Sequence, residues 1–138
     1  MFQFNIRYLA SRFSWDVLCR NMDVARLLIS SVGRGGQVLD AGCGNNSLAE
    51  HLRHYDMISL DLTIPSGLSE KGKFVQGSII QLPFGDSSFS FSTSVDVLEH
   101  LPIELRNDAI RELVRVSDDG VILAFPNRRI GRFQDEKM

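Results

Sequence analysis

Apolar positions along this chain recur with two periods, one suited to helices and one to buried strands, and the two alternate. Val24, Leu27, Leu28 and Val32 share one helical face closed by Gly33, so residues 1 to 32 read as a helical segment. Short apolar runs then predict strands at about 37 to 41, 57 to 61, 73 to 76, 89 to 95 and 120 to 125. Between them lie helical patterns near 48 to 55, with Leu48, Leu52 and Tyr55 in step, near 97 to 101, and over 103 to 117. The last enters through Pro102 and turns Ala109, Ile110, Leu113 and Val114 inward. Strands alternating with helices predict an α/β fold with a mostly parallel sheet of about five strands. The run over 89 to 95 is unusual. Phe89, Phe91, Thr93 and Val95 share one face, and Ser90, Ser92 and Ser94 the other, where a parallel strand buried on both sides should be apolar throughout. Either the small serines let a helix approach closely, or that face is incompletely covered.

Chemistry concentrates where the first predicted strand of the sheet ends. Asp40-Ala41-Gly42-Cys43-Gly44-Asn45-Asn46 follows Val38-Leu39, which puts two glycines at a sharp turn from strand to helix. Such a turn lets backbone approach a ligand closely and opens a helix whose first N–H groups lack internal partners. Ser47 and Glu50 read as a capping box, setting the helix start near Leu48. The next strand, Met57-Ile58-Ser59-Leu60, ends at Asp61, 21 residues after Asp40. A carboxylate there lies beside the glycine turn and can accept both hydroxyls of a ribose. Ser47 stands where a dinucleotide fingerprint needs a third glycine, and no Gly-Lys-Ser/Thr loop occurs. The pattern therefore suits a nucleoside ligand without phosphates.

These residues resemble the class I S-adenosylmethionine-dependent methyltransferases, specifically the small-molecule branch with a "VLDxGCGxG … LPFxDxSF … VLEHL" pattern. Val38 through Gly44, Leu60-Asp61-Leu62, Gly77 through Phe91, and Val97-Leu98-Glu99-His100-Leu101 carry the match, in order over about residues 36 to 126. The resemblance implies a Rossmann-like fold with S-adenosylmethionine as cofactor and S-adenosylhomocysteine as product. It implies that Asp40, Gly42 and Cys43, with Gly44 in the same loop, line the methionine end, and that Asp61 holds the ribose with Leu62 against the adenine. Ser78 and Ile79 would edge the adenine, and Val95 would lie near the sulfonium. Three positions depart from the pattern. Asn46 replaces a motif glycine, Ser78 an aspartate that accepts from the adenine amino group, and Ser90 the aspartate after Ser88-Phe89. The family fold continues past its fifth strand into a helix and an antiparallel hairpin, for which the thirteen residues after Phe125 are too few. The resemblance thus implies a form truncated after the strand over 120 to 125, whose apolar, charge-free edge Val121–Phe125 invites self-association.

Composition adds bounds rather than identity. A 138-residue chain with 43 % hydrophobic content forms one domain, divided into a helical segment 1–35, a core 36–126 and a tail 127–138. No stretch approaches the roughly 18 apolar residues of a membrane span. The net charge of −2 gives no field for nucleic acid, and no Asn/Asp-Pro-Pro-Tyr/Phe clamp follows Val95, so a nucleic-acid partner is not expected. Cys19 and Cys43 make no disulfide framework and, with no signal sequence at the start, point to a reducing cytoplasm. His51, His54 and His100 show no metal-ligand spacing, so no metal site is expected. His100 is the one candidate general base, although histidine also belongs to the family's ordinary "LEH" turn. Arg128, Arg129 and Arg132 either meet an anionic acceptor or are solvated tail charge. The expected function is methyl transfer to a small molecule, a glycan or a lipid precursor. The alternatives are a degenerate, non-catalytic cofactor-binding or assembly domain and, more remotely, a nicotinamide oxidoreductase.

Overall fold

The computed structural model describes residues 5–11, 17–32, 36–44, 48–64 and 73–126. Six strands form one sheet: β1 (Asn5–Ser11), β2 (Gln37–Ala41), β3 (Asp56–Asp61), β4 (Lys73–Gln76), β5 (Phe89–Val95) and β6 (Ser117–Pro126). All six run parallel, in the order β1-β6-β5-β2-β3-β4. Helices α1 (Val17–Val32) and α2 (Ile103–Val116) cover opposite faces. The fold is Rossmann-like α/β.

Alternation within strands sorts the core into two layers. Val38, Phe91, Ile122 and Ala124 pack with Val24, Ala25 and Leu28 of α1. Leu39, Ala41, Val121 and Leu123 pack with Ala109, Leu113 and Val116 of α2. The serine question resolves in favour of close approach. Ser92 and Ser94 are buried, and Ser92 Oγ donates to the Leu113 carbonyl of α2 at 3.0 Å. Ser117 Oγ lies 2.7 Å from both Ser92 Oγ and the same carbonyl, so the hydroxyls satisfy one another under the helix end. Phe89 departs from the expected face. The β5–β6 register shifts between Phe89 and Phe91, which turns Phe89 into the α2 layer, where its ring meets that of Phe84 edge-on at 4.9 Å.

Four expectations change. Residues 5–11 are a strand, not part of the helical segment, and β1 pairs parallel with β6 from Asn5↔Gly120 to Ser11↔Pro126. The β6 edge is therefore occupied, and self-association through an exposed Val121–Phe125 edge loses its basis. The segment after the glycine turn is a single 3₁₀ turn, Leu48–Glu50, rather than a helix to 55. Its hydrogen bonds span three residues, His51 to Leu48 at 2.9 Å and Tyr55 to Leu52 at 3.0 Å, because β3 already starts at Asp56. The segment after β5 is likewise one 3₁₀ turn, Leu98–His100. Asn46, Ser47 and the arginines at 128, 129 and 132 lie outside the described residues.

Candidate functional site

In this strand order the chain leaves β2 toward β3 and β4 on one side and returns through β5 on the other, which opens a crevice at the carboxyl ends of β2 and β5. A cleft of about 410 Å³ occupies that place. Its volume falls in the range of small-ligand sites, ~300–1,000 Å³.

The glycine turn forms one wall through backbone conformation. Gly42 has φ 82° and Gly44 φ 52°, both in the left-handed region. A Cβ on Gly42 would sit 2.3 Å from Val97 Cγ2, so only glycine lets the turn pass beneath the residue that follows β5. The N–H groups of Gly42 and Cys43 both donate to the Leu60 carbonyl, at 2.7 and 3.1 Å, locking the turn onto β3.

Two carboxylates hold this wall. Asp40 is 2 % exposed and accepts the Leu48 N–H at 2.9 Å, while Thr93 Oγ1 lies 3.4 Å from its other oxygen. It thereby takes the capping role at the start of the 3₁₀ turn, reaching across eight residues. Asp61, at the end of β3, accepts the Gly44 N–H at 2.8 Å and faces the cleft. Cys43 is buried between them. Burial first, then the charges of Asp40 and Asp61, push its thiol up to about 12, so it stays protonated and non-nucleophilic at neutral pH.

Of the residues expected at the site, Gly42, Gly44, Asp61, Leu62, Ser78, Ile79 and His100 all line the cleft. Leu62 is 64 % exposed there. Asp40, Cys43 and Val95 are buried and stand behind the lining. Ser78 Oγ accepts the Ile80 N–H at 3.4 Å, which makes it a turn residue as well as a lining one. Sequence reasoning missed Asp96, Val97 and Leu101 as wall residues. Asp96 is one of two non-glycine residues with positive φ among the described residues, at 55°, and its N–H donates to the Ala124 carbonyl at 2.9 Å. Its place directly after a strand bordering the crevice was the available signal.

The segment that carries Ser78 is clamped from α2. Arg115 donates to Glu112, to Asp86 and to the carbonyls of Phe84 and Leu82, at 2.7 to 3.2 Å. Glu112 in turn accepts the Leu82 N–H at 2.7 Å. The hydrogen bond from Arg115 holds the Glu112 carboxyl below its ordinary range, and the two carboxylates hold the guanidinium firmly charged. Among the described residues no cluster of His, Cys, Asp and Glu could hold a metal ion, and no helix is long and apolar enough to cross a membrane.

Residues 39–125 match the methyltransferase domain family, more than half of the chain. This chain belongs to the class I S-adenosylmethionine-dependent methyltransferases. It is 34 % identical over 116 residues to a tRNA (carboxymethyluridine(34)-5-O)-methyltransferase of Arabidopsis thaliana, a match covering 81 % of this chain and 28 % of that protein. It is 27 % identical over 110 residues to norajmaline N-methyltransferase of Rauvolfia serpentina, covering 67 % of this chain and 37 % of the relative. The chain thus spans less than half the length of these relatives. In fold it resembles the crystal structure of Burkholderia thailandensis 1,6-didemethyltoxoflavin-N1-methyltransferase, with a TM-score of 0.62 at 20 % identity, over 70 % of this chain and 47 % of that one. That enzyme was solved with 1,6-didemethyltoxoflavin and S-adenosylhomocysteine bound.

Proposed function

We propose that the chain binds S-adenosylmethionine in the cleft and transfers its methyl group to a small molecule, a glycan or a lipid precursor. The observation that carries this reading is Asp61, a carboxylate at a strand end that faces the cleft and is tied to Gly44 at 2.8 Å. With the longer bond from the Thr63 N–H at 3.5 Å, each oxygen accepts one backbone donor and keeps a lone pair for a ribose diol. In this reading Leu62 lies against the adenine, Ser78 and Ile79 along its edge, and the Gly42–Gly44 turn around the methionine end. Asp40 and Cys43 support that turn from beneath, and Val95 closes the floor near the sulfonium. The glycine cradle and the strand-end carboxylate of Asp61 suit a nucleoside with no phosphate. Bound there, the sulfonium supplies an electrophilic methyl group, and the protein's task is to place an acceptor lone pair in line with it.

A calorimetric titration with S-adenosylhomocysteine and with NAD tests the reading. The sulfur ligand should bind and NAD should not. Asp61→Ala should cost about 2 to 4 kcal/mol of that binding, since two charge-assisted hydrogen bonds disappear. Unchanged affinity in a folded variant would remove the assignment. A second reading, binding without catalysis, is favoured by Ser78, whose hydroxyl already serves the Ile80 N–H and carries no charge for the adenine amino group. Methyl transfer from isotopically labelled cofactor to any acceptor would eliminate it.

A further inference from the structure

Leu62 is an apolar side chain that stands 64 % exposed on the wall of the cleft. It is the first residue after β3, and the β3–β4 ladder ends one step earlier, at Asp61↔Gln76. A residue just past the end of a strand is ordinarily among the first to fray. This one is held. Gln76 Nε2 donates to the Leu62 carbonyl at 2.9 Å, bridging residues 14 apart in sequence. Only the amide nitrogen can meet a carbonyl oxygen, so the direction of this bond is fixed. The side chain thus supplies the donor that a further backbone rung would have given, and the ladder gains one residue.

The residues beside Leu62 are tied as well. The Gly77 N–H donates to the Asp61 carbonyl at 2.9 Å, and the Thr63 N–H reaches Asp61 Oδ1 at 3.5 Å. The end of β4 therefore fixes two consecutive residues of the cofactor wall, Asp61 through a backbone N–H and Leu62 through a side chain. Gln76 is exposed and does not line the cleft, so its route to a ligand runs through Leu62. What such a tether does follows from when the cost of ordering falls. A loose leucine must be immobilised as the ligand binds, which weakens binding, whereas one fixed on folding meets the ligand already ordered. We infer that Gln76 is a positioning residue for the cofactor, holding Leu62 as a preformed apolar ledge for the adenine ring. This inference rests on the cofactor reading above and deepens it.

A double-mutant cycle read by calorimetric titration with S-adenosylhomocysteine is the test. Gln76→Met keeps the length of the side chain and removes the donor. It should weaken S-adenosylhomocysteine about threefold to tenfold, the worth of one neutral hydrogen bond. In a Leu62→Ala background the same change should have no effect, because the residue through which Gln76 acts is gone. Methyl NMR gives an independent readout. The Leu62 methyls should shift upfield under the adenine ring in the unmodified chain, and that shift should shrink in Gln76→Met while the Gly44 amide still responds to the ribose. Unchanged affinity in Gln76→Met, an equal loss in both backgrounds, or an undiminished Leu62 shift would each overturn the inference. A chain that binds no S-adenosylhomocysteine at all would remove the cofactor reading with it, whereas binding indifferent to Gln76 removes this inference alone.

Discussion

The two walls of the cleft are built by different means. On the β2–β3 side, backbone N–H groups converge on acceptors from the same two strands: Gly42 and Cys43 on Leu60, Gly44 on Asp61, and Leu48 on Asp40. On the β5 side and along the segment 78–88, the shape is imposed by charged side chains of α2, by Arg106 on the nearby carbonyls of Glu99 and Leu101 and by Arg115 on the sequence-distant Leu82, Phe84 and Asp86. The first wall is held by backbone amides and sterics, and the second by charged side chains of a helix. They should therefore fail differently.

Gly42→Ala should have the largest effect. Its Cβ would stand 2.3 Å from Val97 at a φ of 82°, which combines overpacking with backbone strain. We expect a loss of about 3 kcal/mol in denaturant unfolding, together with loss of S-adenosylhomocysteine binding. Gly44→Ala is the control. Nothing lies within 4 Å of its added Cβ, so only the φ penalty of about 1 to 2 kcal/mol applies. Equal costs for the two would break the steric account of the first wall.

Arg115→Ala should cost about 2 kcal/mol, because several bonded groups lose their donor at once, and Arg115→Lys should recover only part of it. If S-adenosylhomocysteine affinity also falls, the clamp positions the wall that carries Ser78. The same network predicts a pH dependence. Glu112 is held below its ordinary value of 4.5, so its stabilising contribution is present above that value. It should be lost as pH falls from there through the lower folded value. Urea midpoints measured across this range should show a slope that Glu112→Gln removes. The smallest effect concerns Ser78. Ser78→Asp should tighten S-adenosylhomocysteine by roughly 1 kcal/mol if the adenine amino group lies at that edge. Equal or weaker binding would mean the edge is met otherwise.

The same contrast explains what could be read from the residues. The glycine turn, Asp61, α2 and five of the six strands follow from periodicity and from motifs a few residues long. Nothing local predicts that Arg115 reaches Leu82 and Asp86, because that pairing depends on how α2 lies over the sheet. Nor does the local pattern separate Asn5–Ser11 from the helix that follows it. Ile6, Tyr8 and Ala10 do alternate with Asn5, Arg7 and Ser11, but Leu9 breaks the contrast, and the partner strand lies far along the sequence. The 3₁₀ turn at Leu48–Glu50 was lost for a related reason. Leu48, Leu52 and Tyr55 fit a helical spacing, and only the position of β3 reveals that the chain has no room for one.

The pairing of β1 with β6 has a kinetic meaning. Asn5 meets Gly120, so this pair of strands closes a loop containing nearly every other element of the fold. Closing so long a loop costs chain entropy before any contact repays it, and such non-local pairings slow folding. During synthesis β1 leaves the ribosome well before its partner. The β2–β5 core can assemble while β1 waits, an unmatched strand until β6 arrives.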